Sequence, residues 1–288
     1  MKKGEKLYEI EKRLSEYAGE DRIVSSHELA EELKKTQDSV FIVPTGVSTY
    51  DRLHEGGVEA GELIIVTGPT GEGKTSFLMS ITKNMSEKNV NSIWFTLEVT
   101  PRQFLKKIMS SSKSLPLFYV PKENTDNQIS WIEERIIESK LKFNTKVVFI
   151  DHIHQIFSIA RMSSQFNLSF ELGDLVAKIK KIAIDNNLSI FLIAHSKDDP
   201  MGSSREPRKE DIRDSGLISR LADSIIGVWR VPNDEEIDSV RRKAINETDI
   251  KTKVRVFKNR RTGKLGSWFM FHENHYLSEN DPSLNDFN

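Results

Sequence analysis

The chain has 288 residues, 30% of them charged, and its 42 basic and 43 acidic side chains leave a net charge of −1. That balance gives no global electrostatic footprint for nucleic acid, so any such binding has to use a local surface. Cysteine is absent, which excludes disulfides, a cysteine-based zinc ribbon and thiol catalysis, and fits a reducing compartment.

No apolar run approaches the roughly 20 residues that cross a bilayer. Met1-Lys2-Lys3-Gly4-Glu5 is not followed by the apolar stretch of a signal peptide. A cytoplasmic protein without membrane segments is expected. The length suits one large α/β domain with a small appendage.

Leu7, Ile10, Leu14 and Tyr17 recur at helical spacing and predict an amphipathic helix from Glu5 to Tyr17. A turn at Ala18-Gly19-Glu20-Asp21 precedes a second helix capped at Ser26. Residues 1–39 thus read as a helical arm, 40–279 as the main domain opened by Val40-Phe41-Ile42-Val43, and 280–288 as a polar tail.

The main domain turns on Gly68-Pro69-Thr70-Gly71-Glu72-Gly73-Lys74-Thr75, a G-x-x-x-x-G-K-T phosphate loop. The apolar run Leu63-Ile64-Ile65-Val66 precedes it as a strand, and a helix starts at Ser76. The glycines let backbone N–H groups curl around phosphate oxygens, and the helix N-terminus adds its positive dipole end. Lys74 is expected on the β- and γ-phosphates of ATP and the Thr75 hydroxyl on Mg²⁺.

Strand and helix signals then alternate. Strands are predicted at Ser92–Leu97, Leu117–Val120, Val147–Ile150, Leu188–Ala194, Ile225–Trp229, Val254–Phe257 and Trp268–Phe271. Helices are predicted at Pro101–Ser110, capped by Thr100, at Asn127–Lys140 and at Leu172–Ile184. Asn233–Lys253 is highly charged and reads as a solvated insertion. Continuous apolar strands between helices predict a mostly parallel sheet covered on both faces, with ligand at the carboxyl ends of its strands.

The polar residues at those ends are the candidates. Asp151 would hold Mg²⁺. Glu98 would either polarise the attacking water or cap the following helix. His195 would either touch the γ-phosphate or be a solvated surface residue. The loop Ser196–Arg213 carries Lys197, Arg205, Arg208, Lys209 and Arg213 against five acids, so it is no basic patch. In the turn Lys258-Asn259-Arg260-Arg261-Thr262-Gly263 a guanidinium would either stabilise transition-state charge across a subunit boundary or be a solvated cation.

Together these pieces resemble the RecA-like motor domain of hexameric replicative helicases of the DnaB type. The resemblance runs from about Pro44 to Tyr276. It rests on Thr45–Leu53 with the Gly56-Gly57 turn, the phosphate loop, Phe95-Thr96-Leu97-Glu98, Phe149-Ile150-Asp151-His152-Ile153, Asp211–Gly216, Ala222–Ile226 and Lys258–Gly263. Asp-His-Ile after the Mg²⁺ strand and His195 look most like phage primase-helicases.

The resemblance implies Glu98 as general base, His195 as γ-phosphate sensor and Arg260, with Lys258 beside it, as the finger reaching the next subunit. It implies Arg230 and an aromatic near Phe271 at the adenine. It also implies two channel loops, about Ile159–Phe170 with Arg161 and Lys197–Arg213, on single-stranded DNA. The expected assembly is a homo-oligomeric ring, hexameric by resemblance, moving 5′ to 3′ with a separate primase or loader; the short arm and missing cysteines speak against built-in primer synthesis. A RecA/RadA-type recombinase and a KaiC-like regulatory ATPase are the competing readings. Filaments on DNA would favour the first, and hydrolysis indifferent to single-stranded DNA the second.

Overall fold

The structure is a computed structural model of the chain and describes residues 3–19, 22–35, 41–109, 115–124, 128–153, 155–156, 168–195, 215–232, 250–273 and 276–279. The chain divides into two compact units, Met1–Val40 and Phe41–Asn288. No helix among the described residues is long and apolar enough to cross a membrane.

The first unit holds helices α1 (Lys3–Ser15) and α2 (Ser26–Lys35). The α2 cap is Ser25 rather than the expected Ser26, because Ser25 Oγ accepts the Glu28 N–H at 3.1 Å. A serine three residues before the donor has this reach; Ser26 already lies inside the helix.

In the second unit a two-stranded antiparallel sheet pairs β1 (Ile42–Val43) with β2 (Val58–Glu59). Helix α3 (Ser48–Leu53) lies between them. Asp51 fixes this lead-in segment by accepting Thr45 N–H, Thr45 Oγ1 and Gly46 N–H at 2.8, 2.7 and 3.0 Å.

The main sheet has eight strands. In chain order they are β3 (Leu63–Gly68), β4 (Ser92–Thr96), β5 (Val147–Asp151), β6 (Ser189–His195), β7 (Ser224–Pro232), β8 (Ile250–Asn259), β9 (Gly266–Glu273) and β10 (Tyr276–Ser278). Their order across the sheet is β10-β9-β8-β7-β3-β6-β5-β4. From β7 to β4 the pairs are parallel, whereas β8, β9 and β10 run antiparallel to their neighbours. The parallel sheet read from the apolar runs is therefore one half of a mixed sheet. Antiparallel neighbours need no crossover helix between them.

Two expected elements change. Leu117–Val120 supplies only a single bridge, Tyr119 to Ile93, rather than a strand. The charged stretch 233–253 lies outside the described residues up to 249, and from Ile250 onward it is the start of β8.

Helices α4 (Lys74–Glu87), α5 (Pro101–Met109), α6 (Ile129–Phe143), α7 (Leu168–Asp185) and α8 (Ser215–Leu221) complete the unit. Every residue of β3 is buried. Alternation sends Ile64 and Val66 into one core with Phe77, Trp94, Phe149 and Met270. Leu63 and Ile65 go into the other with Ile132, Val176 and Ile190. The polar residues that end these strands have no core to enter, so they gather at the carboxyl edge.

Candidate nucleotide site

The phosphate loop leaves β3 at that edge and enters α4. Gly68 has φ 150°, and a Cβ built on it would strike the Val228 carbonyl oxygen. Gly73, at the N-cap of α4, has φ 100°. Both positions are thus closed to other residues by sterics, and the tight turn they allow points backbone N–H groups into the loop.

Lys74 is only 5% exposed. Its Nζ donates to the loop's own carbonyls, Gly68 O at 2.8 Å and Pro69 O at 2.6 Å. Burial lowers its pKa to about 8, against the pull of Asp151, Glu72 and Glu98. Thr75 Oγ1 donates to Asp151 Oδ2 at 2.8 Å. Burial raises the Asp151 carboxyl to about 6; the Thr75 bond opposes the shift and Glu98 adds to it.

The two shifts are of opposite sign and share one remedy. An anion against Lys74 favours its charged form, and a cation against Asp151 favours the carboxylate. A hydroxyl and a carboxylate oxygen side by side are the hard donors that Mg²⁺ takes. The residues present therefore fit a metal–polyphosphate ligand.

Glu98 lies just past β4, its side chain 55% exposed, with Oε2 3.9 Å from His152 Nε2. The helix-cap alternative for Glu98 falls away. Thr100 Oγ1 accepts Gln103 N–H at 3.2 Å and Gln103 Oε1 accepts Thr100 N–H at 3.0 Å, a capping box complete without it.

His195 ends β6 in register with Gly68. Its ring meets that of His152 edge to face, centroids 4.2 Å apart. One ligand atom from each of Glu98, His152 and His195 lies within 4.8 Å of the others. A cavity of about 380 Å³ runs from Thr75, Ser76 and Asp151 past Glu98 to Lys107. Its lining joins the polar groups of Thr75, Asp151 and Glu98 to the apolar side chains of Met79, Val99, Phe104 and Ile108. Sequence reasoning assigned no role to His152, although its place directly after Asp151 at a strand end was a usable signal.

Other expected residues fall elsewhere. Arg230 N–H donates to Glu72 Oε2 at 2.6 Å and ties β7 to the loop. Arg230 pairs with Thr252, but Phe271 pairs with Lys251, one residue out of step. Phe271 therefore stands on the opposite face of the sheet, where Lys251 Nζ lies 5.5 Å over its ring. Arg230 and Phe271 are not brought together. The aromatic beside the loop is His272, which hydrogen-bonds Thr252 Oγ1 at 2.9 Å. A Cβ on Gly73 would lie 3.9 Å from the His272 ring.

Within its own chain Lys258 Nζ donates to the carbonyls of Ser219, Arg220 and Ala222 at 2.7, 3.3 and 2.6 Å, at the end of α8. Arg260 follows on the same turn, its N–H bonded to Asp223 O at 2.8 Å. That turn is level with the start of β3, since Asp223 N–H donates to Leu63 O. The phosphate loop leaves the other end of β3, about 17 Å away at roughly 3.3 Å per residue. Arg260 is out of reach of its own chain's loop. Arg161, Lys197, Arg205, Arg208 and Lys209 lie outside the described residues.

Residues 42–128 and 118–279 match the DnaB-like helicase C-terminal domain. The replicative DNA helicase DnaC of Bacillus subtilis is 22% identical over 238 residues, which cover 73% of this chain and 52% of that protein. The circadian clock oscillator protein KaiC of Parasynechococcus marenigrum is 27% identical over 165 residues, covering 52% of this chain and 32% of that one. The chain thus spans about half the length of the replicative helicase it matches. Among solved structures, a DnaB-like replicative helicase described with its primase interactions superposes with a TM-score of 0.66 at 17% identity, covering 95% of this chain and 70% of that one. The fold is the RecA-like ATPase fold, and the chain belongs to the DnaB-like helicase C-terminal domain family.

Proposed function

We infer that this chain is an ATP-driven DNA helicase motor, working as a ring whose nucleotide sites lie between subunits. The observation that carries the reading is the division of one site between two edges of the sheet. Lys74, Thr75, Asp151 and Glu98 lie at the carboxyl edge, and the cationic turn that the sequence offers as a finger, at Arg260, lies level with the start of β3. A site so divided is complete only when a neighbouring protomer brings its own Arg260 to the loop.

In this reading the phosphate loop binds the β- and γ-phosphates of ATP through backbone N–H groups and Lys74. Mg²⁺, when held by Thr75 and Asp151, supplies neutralisation of charge on the phosphate oxygens. Glu98 orients and deprotonates the attacking water, a contribution worth about 10²–10⁴-fold. His195, touching His152, reads the γ-phosphate. Arg260 of the adjacent protomer stabilises the transition-state charge, an effect on the order of 10³–10⁵ in rate. Arg230 and His272 flank the loop on the side where the nucleoside would lie. Residues 1–39 serve as the arm that packs on a neighbour. Translocation on single-stranded DNA, 5′ to 3′, uses Arg161, Lys197, Arg205, Arg208 and Lys209, and a separate primase or loader completes the machine.

The match to KaiC keeps one rival reading, a regulatory ATPase without DNA work. ATPase rate with and without single-stranded DNA, on a sample of determined mass, separates the two. The helicase reading expects an oligomer stimulated by DNA. A monomer hydrolysing ATP at the same rate with and without DNA overturns it.

A further inference from the structure

Arg260 is held by an acid that the nucleotide chemistry does not use. Asp223, in the turn between α8 and β7, is 8% exposed. Its Oδ2 accepts the Leu63 N–H at 2.8 Å and Lys180 Nζ at 2.5 Å. Its Oδ1 faces Arg260 Nη1 at 3.2 Å, and Arg260 Nη2 donates to the Arg220 carbonyl at 2.6 Å. The backbone is pinned as well, through Arg260 N–H on Asp223 O at 2.8 Å.

A guanidinium has five N–H donors in a rigid fork. Two of them point inward, to Asp223 and to the Arg220 carbonyl. Three are left on a side chain that is 54% exposed. The Arg220 carbonyl also accepts from Lys258 Nζ at 3.3 Å, and the same ammonium holds the carbonyls of Ser219 and Ala222. Charge is arranged to match. Lys180 neutralises Asp223 from the protein side, so Asp223, Lys180 and Arg260 together keep one positive charge and it faces outward. A lone carboxylate would have cancelled the finger; a carboxylate already paired orients it without cancelling it.

We propose that Asp223 is a positioning residue for Arg260, setting the guanidinium with three donors turned toward the γ-phosphate bound by the neighbouring protomer. The proposal rests on the cross-subunit reading of Arg260 given above. The competing role is purely structural: Asp223 joins β3 to β7 by accepting the Leu63 N–H, and the finger lies beside it by accident.

A double-mutant cycle on the full chain separates these roles. DNA-stimulated kcat and KM for ATP are measured for wild type, Asp223→Asn, Arg260→Ala and the double variant. Asp223→Asn keeps an oxygen for Leu63 and removes the charge. With Arg260 present, kcat should fall at least fivefold with KM within twofold; with Arg260 removed, Asp223→Asn should change kcat less than twofold. An equal fold-loss in both backgrounds, or wild-type kcat in Asp223→Asn, overturns the proposal. Wild-type kcat in Arg260→Ala overturns the cross-subunit reading itself, a result visible before Asp223 is touched. If thermal melting shows Asp223→Asn unfolded, Lys180→Gln replaces it, since the Leu63 bond to Asp223 then stays. That variant should lose at least twofold in kcat only where Arg260 is present, and an equal loss in both backgrounds overturns the proposal.

Discussion

Thr75 and Asp151, from the phosphate loop and from the end of β5, share a 2.8 Å hydrogen bond across the carboxyl edge of the sheet. The bond holds two hard oxygens where one divalent cation can take both. It also opposes the burial that pushes the carboxyl up to about 6. Asp151→Asn keeps an oxygen for Thr75 and deletes the charge. Its kcat should fall about 100-fold, the equivalent of about 2.7 kcal/mol of transition-state stabilisation. Titration of a fluorescent ATP analogue with and without Mg²⁺ checks the cause. Binding to the variant should gain nothing from Mg²⁺; a gain equal to that of wild type removes Asp151 from the metal site.

Trp94 is the pin between α4 and the sheet. It is fully buried, donates Nε1–H to Thr82 Oγ1 at 3.0 Å, and packs on Phe149 and Phe104 with ring centroids 4.8 and 5.1 Å away. Trp94→Ala should cost about 3–5 kcal/mol through the cavity it opens. Trp94→Phe keeps most of the packing and loses the hydrogen bond, so about 1–2 kcal/mol is expected. Urea unfolding reads both as a lower midpoint at unchanged slope. A phenylalanine variant as weak as the alanine one would show that the hydrogen bond, not the ring, does most of the holding.

How far the sequence reached follows from the range of each interaction. The phosphate loop and its flanking strand and helix were legible because the signal is contiguous: glycines with positive φ between an apolar run and a helix start. Asp151 was legible because an apolar strand buried on both faces must end somewhere, and a carboxylate at that end has one edge to occupy. Phe271 was misplaced because a single step along β9 exchanges faces, and register is set by pairing with β8 rather than by composition. The bonds Lys258 makes to the carbonyls of Ser219 and Ala222 were not legible because those partners are distant in sequence. The antiparallel half of the sheet was hidden for a similar reason: buried strands look alike in either direction.

His54 is fully buried and wholly structural, and it gives the protein a pH dependence. Its two ring nitrogens meet Tyr50 O at 3.1 Å and Ser224 Oγ at 3.0 Å, and its ring stacks on Tyr50 at 3.9 Å. Burial lowers its pKa to about 4, and the Arg261 cation adds to the effect. Between about 6.5 and 4 the unfolded chain therefore binds the proton that the folded chain refuses, and stability falls as pH drops through that window. The slope is at most about 1.4 kcal/mol per pH unit from this group. Asp151, raised by burial to about 6, acts with the opposite sign across most of this window, and Asp51 and Glu62, also raised by burial, act in the same sense as Asp151. The comparison of wild type with His54→Gln isolates the histidine: the gap in unfolding free energy should narrow from pH 7.5 to pH 4.5. A constant gap would mean that His54 takes up its proton in the fold as readily as in the unfolded chain.

In the helicase reading Glu98 and His152 have separate parts to play beside the nucleotide. Glu98 is half exposed and faces the cavity shared with Thr75 and Asp151, as a water-activating base must. His152 is buried, 3.9 Å from Glu98 and in edge-to-face contact with His195. In the helicase reading it supports both from inside the fold. Glu98→Gln should bind ATP as wild type does and lose about 10²–10⁴-fold in kcat, the usual worth of a positioned base. His152→Asn, which keeps a polar group but shortens the link to His195, should retain more of the basal rate and lose the stimulation by single-stranded DNA. Single-turnover hydrolysis with and without DNA separates these outcomes. Equal losses of basal rate in the two variants would make His152 part of the base rather than its support.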